Sequence, residues 1–106
     1  MINSKQKGAR NEREVAEILR KHGFEARRSA QYCGNTGEAA DVTSNFPFHI
    51  EVKHQETLQI DKWWEQAVND AKEKPPLLVF RKNHQKWRVV LDFETFLSLF
   101  SCDAEK

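Results

Sequence analysis

Residues 46–54 run Phe46-Pro47-Phe48-His49-Ile50-Glu51-Val52-Lys53-His54. Apolar and polar residues alternate with a period of two, the pattern of a strand with one buried face. Phe48, Ile50 and Val52 are expected to face the core, with His49, Glu51 and Lys53 on the other side. Pro47 lacks a backbone donor and belongs at the start of the strand. Ten residues before Glu51, Asp41 falls in a short predicted strand over 39–44. If the two strands pair, two carboxylates and an ammonium group converge. Two carboxylates are what a magnesium ion asks of a protein, because it keeps several waters and takes further ligands from phosphate. A lysine beside them can orient a water or offset charge building on a phosphate. The set suits metal-assisted cleavage of a phosphodiester. The same acid-x-Lys triplet recurs as Asp70-Ala71-Lys72, but in a helical stretch, where i and i+2 do not share a face. The alternative reading of Glu51 and Lys53 is a solvated strand face with a cross-strand ion pair.

A chain of 106 residues suits a single domain, 1–106, with a loosely held basic arm over 1–8 and a polar tail over 101–106. Charged residues make up 31% of it, yet the formal net charge is only +1. Bases crowd the first third, from Lys5 to Arg28, and a second group runs from Arg81 to Arg88. Such patches are compatible with a polyanionic partner and also with ordinary solubility. Cys33 and Cys102 stand far apart and outside any C-x-x-C pattern, which suggests reduced thiols and a cytoplasmic setting. With His22, His49, His54 and His84 they lack zinc-ligand spacing. No signal-peptide pattern or membrane-length apolar run is present, and no small-molecule cofactor is expected.

Helical spacing of Val15, Ile18, Leu19 and His22 predicts a helix over 10–22, with Gly23 after its end. Residues 24–30 are expected to form a strand and 31–38, with Gly34, Asn35 and Gly37, a loop. Asp61 is a candidate N-cap for a helix over 61–74, with Trp64, Ala67, Val68 and Ala71 as its apolar stripe and Pro75-Pro76 as its stop. One of the adjacent Trp63 and Trp64 must face outward. Residues 77–81 and 87–91 predict two strands joined by a turn at Asn83-His84-Gln85. Asp92 opens a last helix, with Phe93, Phe96, Leu97 and Phe100 expected inward, as core or as core plus subunit interface. The order is α-β-β-β-α-β-β-α, an α/β fold with a mixed five-stranded sheet flanked by helices.

This order, with Asp41 and then Glu51-Val52-Lys53 on the second and third strands, resembles the PD-(D/E)xK nuclease superfamily. Within it the chain is similar to the archaeal-type Holliday junction resolvases and their phage relatives. The resemblance spans about residues 7–100. It rests on Lys7-Gly8 followed by Asn11-Glu12-Arg13, on Gly37-Glu38-Ala39-Ala40-Asp41-Val42, on Ile50-Glu51-Val52-Lys53 and on Glu65-Gln66-Ala67. The chain departs from the pattern in carrying Ala40 rather than proline before Asp41. The resemblance implies a restriction-endonuclease-like fold and a metal-dependent endonuclease acting on DNA, branched DNA of the four-way type above all. It implies Mg²⁺, with Mn²⁺ as a substitute, held by Asp41 and Glu51 with Glu12 in support. Lys53 and Gln66 complete the expected catalytic set. Phage, bacterial or archaeal sources fit such a protein.

Lys5, Lys7, Arg10, Arg13, Arg27, Arg28 and Ser29 are the candidate contacts to DNA phosphates, for which arginine and serine are ordinary partners. Tyr32 and the Gly34/Gly37 loop are candidates for insertion at a branch point. Glu12 lies on the apolar side of its helix, where an unpaired acid is unusual, though a first-turn glutamate is also favoured by the helix dipole. Glu14, its competitor, is expected in solvent. Resolving a junction takes two symmetric nicks, so a homodimer with two sites is implied. Two alternatives stand beside the resolvase: a nicking, flap or restriction-type nuclease of the same fold, and a DNA-binding module with a vestigial site.

Overall fold

The computed structural model describes residues 4–29 and 41–100, without the side chains of residues 4–7. The predicted loop over 31–38, Tyr32, both cysteines, Ala39, Ala40 and the tail 101–106 lie outside the described residues. The elements are α1 (Ser4–Lys21), β1 (Ala26–Arg28), β2 (Val42–Ser44), β3 (His49–His54), α2 (Ile60–Asp70), β4 (Pro76–Arg81), β5 (Arg88–Val90) and α3 (Phe93–Ser98). Their order is the expected one, and the five strands form one mixed sheet in the order β1-β2-β3-β4-β5. β1, β2 and β3 pair antiparallel, β3 and β4 parallel, and β4 and β5 antiparallel. The parallel step follows from α2, a crossover helix between β3 and β4.

Alternation along β3 and β4 sorts the core into two layers. Val42, Ile50, Val52, Leu77 and Val79 pack with Val15 and Ala16 of α1. Leu78 and Phe80 pack with Trp63 of α2. The sheet is thus covered by α1 on one face and by α2 on the other. β3 and β4 are buried along most of their length, as a parallel pair between two helices requires.

Several boundaries differ from expectation. α1 starts at Ser4, so Lys5, Lys7 and Gly8 belong to the helix and not to a loose arm. β1 and β2 are three residues each, and Asp41 sits immediately before β2. α2 ends at Asp70, four residues short of the expected end, and Gln59 rather than Asp61 is its N-cap. Trp63 is its buried tryptophan, while Trp64 is half-buried and Val68 exposed. The turn after β4 uses His84 at φ 65°, a left-handed conformation uncommon for any residue but glycine. The largest departure is α3, whose apolar residues are exposed rather than inward.

Candidate active site

A cleft of roughly 300 Å³ opens where α1, the start of β2, β3 and α2 meet, and Glu12, Asp41, Glu51, Lys53 and Gln66 all line it. The fold thereby brings all five expected catalytic residues to one place. β3 supplies Glu51 and Lys53 from one face of the strand, α1 supplies Glu12, and α2 supplies Gln66.

Asp41 is held at a point where the sheet pairing loosens. Its N–H donates to Ile50 O at 3.1 Å, and its carbonyl accepts from Ser29 N–H at 3.1 Å. Its carboxylate Oδ2 accepts the Val52 N–H at 2.8 Å. The side chain therefore takes a ladder donor of β3, which fixes it beside Glu51. Burial, and next the Glu51 charge, push the Asp41 carboxyl up to about 8, with Glu12 adding to the rise and the Val52 N–H and Lys53 opposing it.

Glu51 is buried, and its Oε2 lies 3.1 Å from Nε2 of the equally buried His49. Asp70, at the end of α2, lies near enough to Glu51 to feel its charge. Burial, followed by the Glu51 charge, raises the Asp70 carboxyl above its ordinary range. His49 and Asp70 are neighbours of Glu51 that the sequence reading did not name. His49 had a signal: it stands two residues before Glu51 and so shares its strand face. An acid in the last turn of a helix, where the dipole disfavours it, was the signal for Asp70.

Glu12 lines the cleft from α1. Its Oε1 accepts from Arg28 Nε at 2.9 Å, with both side chains largely buried. Burial raises the Glu12 carboxyl more than Arg28 lowers it. Arg28 is accordingly engaged inside the protein rather than presented to a phosphate. Ser29 is also a correction: it is buried, and its hydroxyl pairs with Thr43 Oγ1 at 2.8 Å. Arg10, Arg13 and Arg27 are exposed. Glu14, expected in solvent, accepts from Trp87 Nε1 at 3.1 Å and lies 3.4 Å from Arg81.

His54 flanks the cleft beside Lys53. Its Nδ1 lies 2.9 Å from Asn11 Oδ1 and its Nε2 2.7 Å from Asn83 Oδ1. Two amides against two ring nitrogens fix the imidazole plane, and a neutral ring is satisfied with one of the amides turned to offer its NH₂.

Among the described residues no three His, Cys, Asp or Glu side chains are gathered about one point. The donor chemistry nevertheless fits a hard divalent cation held by Asp41 and Glu51. Glu51 is buried and Asp41 half-buried, and the Glu51 charge that adds to the rise of Asp41 is repulsion that a cation between them relieves. Magnesium needs only one or two carboxylates from a protein, the remainder being water and phosphate oxygen.

Comparison with known proteins agrees with this geometry. The family model described as "Phage putative PDDEXK endonuclease" matches residues 3–104, nearly the whole chain. The chain belongs to this PDDEXK endonuclease family, and its fold is that of a PD-(D/E)xK nuclease. Among solved structures it is similar to Hjc of Archaeoglobus fulgidus, a Holliday junction resolvase from an archaeal hyperthermophile. The TM-score is 0.60 at 26% identity, over 80% of this chain and 72% of that one. The five-stranded mixed sheet with flanking helices is therefore restriction-endonuclease-like. No curated protein sequence matches the chain. Among the described residues no helix is long and apolar enough to cross a membrane.

Proposed function

We propose that this nuclease is a divalent-metal-dependent endonuclease that resolves four-way DNA junctions. The observation that carries the reading is the single cleft lined by Glu12, Asp41, Glu51, Lys53 and Gln66 in a fold similar to Hjc. Asp41 and Glu51 would hold Mg²⁺, with Mn²⁺ as a substitute. Such an ion, when bound, polarises a phosphate oxygen and lowers the pKa of a water. Lys53 orients the attacking water and offsets the negative charge that develops on the phosphate. Gln66 offers an amide to the same water or to the Lys53 region. Glu12, anchored by Arg28, supports the site from α1 through a water rather than by direct ligation. Exposed Arg10, Arg13 and Arg27, with Lys5 and Lys7, are the proposed phosphate contacts. Two symmetric nicks call for two sites, so the reading includes a homodimer. A cytoplasmic setting in a phage-infected, bacterial or archaeal cell suits it.

Cleavage assays with Mg²⁺ on four-way junction, flap, single-stranded and linear duplex DNA test this directly. Paired nicks on the junction, absent in EDTA, are the expected result. Equal rates on linear and four-way DNA would favour a nicking or restriction-type enzyme. Metal-independent binding without any cleavage would leave a DNA-binding module. Asp41→Ala and Glu51→Ala should each abolish cleavage while preserving junction binding in Ca²⁺, because each removes a hard oxygen donor without touching the basic surface.

A further inference from the structure

The second basic group of the sequence, Arg81 to Arg88, holds four Lys or Arg residues and no acid. It forms the turn between β4 and β5, and neither the cleft nor the core uses its outer side. The turn is braced from within. Arg81 donates to the carbonyls of Lys82 and Gln85, both at 3.3 Å, and lies 5.0 Å from the centre of the Trp87 ring. Arg88 is likewise occupied, by Gln85 Oε1 at 2.8 Å and by the Phe80 ring. Lys82 and Lys86 remain, and among the described residues neither meets a carboxylate in a salt bridge. The acids beside the turn are already engaged: Glu14 accepts from Trp87 Nε1, and Glu56 from the Asn83 N–H.

The turn stands at the cleft. β3 and β4 run parallel with His54 opposite Arg81, so the turn leaves the sheet at the same end as Lys53 and His54. Asn83 Oδ1 lies 2.7 Å from His54 Nε2, and His54 lines the cleft. Neighbouring strands lie about 4.8 Å apart, which puts the turn roughly 5–10 Å from the strand that carries Glu51 and Lys53. That distance is spanned by about two or three nucleotides of one DNA strand. Arg27 sits on β1, at the opposite edge of the sheet, with β3 between.

We propose that the β4–β5 turn is a second DNA-backbone contact, in which Lys82 and Lys86 hold phosphates on the flank of the cleft opposite Arg27. A nucleic-acid backbone is the occupant that the placement favours. Its evenly spaced charges meet both lysines and the cleft together, whereas a lone anion fills one of these places at most. Because Arg81 and Trp87 already brace the turn, its lysines are presented without a loop having to be ordered on binding. Contacts of this kind fix register and orientation and carry no sequence information. With both flanks anchored, the scissile phosphate is held against Lys53 rather than left to swing, and such positioning is itself a source of rate. The proposal rests on the nuclease reading for its substrate and deepens it by assigning the DNA on the β5 side of the cut.

The salt dependence of affinity tests it, measured on the full chain with an intact four-way junction in Ca²⁺. Lys82→Gln/Lys86→Gln is expected to lower the slope of log affinity against log salt by about two units, and Lys86→Gln alone by about one. Lys21→Gln removes one charge at the far end of α1 and should leave the slope unchanged. Phosphate-ethylation interference on the same junction locates the contacts. The phosphates lost in the double variant should lie across the cut from those lost in Arg27→Gln. An unchanged slope in the double variant overturns the proposal. So does an equal fall per charge in Lys21→Gln, or loss of the same phosphates as in Arg27→Gln. Mg²⁺-dependent nicking measured on the same samples keeps the two readings apart. A nicking wild type whose double variant keeps the full slope refutes this turn alone. A reduced slope in the double variant, beside a wild type that never nicks, refutes the nuclease reading alone.

Discussion

His49 Nε2 lies 3.1 Å from Glu51 Oε2, and both side chains are buried on the same face of β3. The imidazole engages one oxygen of the carboxylate and sets the direction of the other. A partner of this kind typically controls metal affinity or activity by ~10–100-fold. His49→Ala is therefore expected to raise the Mg²⁺ concentration needed for half-maximal single-turnover cleavage by that factor. His49→Gln, which keeps a hydrogen-bonding group, should recover part of it. Calorimetric Mn²⁺ titration without DNA should show the same order. Equal metal affinity in all three proteins would leave His49 as core packing only.

Lys53 shares that strand face but has a different task. Removing a donor that acts on developing charge typically costs roughly 10²–10³ in rate. Lys53→Ala should lower the single-turnover rate by about that much, with Mn²⁺ affinity and junction binding in Ca²⁺ nearly unchanged. If the side chain served only an ion pair, thermal stability would fall and turnover would persist.

The parts of this site that were legible in the sequence are those governed by local periodicity. Strand alternation put Glu51 and Lys53 on one face, and the same rule placed His49 there. What escaped the sequence is set by contacts between distant segments. Arg28 meets Glu12 across sixteen positions, and no pattern within α1 or β1 foretells that pairing. The motif similarity pointed to Glu12 as a support for metal, and nothing in that motif foretold that one of its oxygens would also meet a guanidinium. Ser29 failed as a surface residue for the same reason: β1 and β2 pair, and Thr43 covers its hydroxyl. In α3 the amphipathic spacing was legible, but a periodic stripe reports that a helix has an apolar face and not what covers it. Sheet order needed only the element order and the crossover helix, because a helix between two strands favours a parallel step.

Asp41 gives the metal-free protein a pH dependence of defined sign. Its folded carboxyl titrates near 8 against an ordinary value of 3.8. Between these values the folded chain keeps a proton that the unfolded chain has released. Stability in EDTA should therefore fall as pH rises through this window, and the penalty should be complete above it. Below about pH 4 both states are protonated and Asp41 contributes nothing. Asp41→Asn should flatten the profile of melting temperature between about pH 5 and about pH 8. Mg²⁺ should raise the wild-type melting temperature more at the alkaline end, since it binds the deprotonated carboxylates. A wild-type profile that rises across this window would contradict the assignment.

Arg27 and Arg28 are neighbours in sequence with opposite fates. Arg27 is exposed on β1, and Arg28 turns inward to Glu12. Arg28→Ala strips a largely buried carboxyl of its partner, a loss of about 1–3 kcal/mol, read as a lowered urea midpoint. Because both groups belong to one pair, Arg28→Ala combined with Glu12→Ala should cost less than the sum of the single changes. Arg27→Ala should stay within about 0.5 kcal/mol of wild type, as surface changes do. Its effect belongs to DNA binding, where losing one phosphate contact reduces the salt slope by about one unit. The slope of log affinity against log salt, measured with Ca²⁺ on an intact junction, separates the two residues. An Arg28 variant with wild-type stability and a reduced slope would mean that its guanidinium leaves Glu12 for the DNA. An unchanged slope in Arg27→Ala would move the DNA path off β1, toward Arg10 and Arg13 on α1.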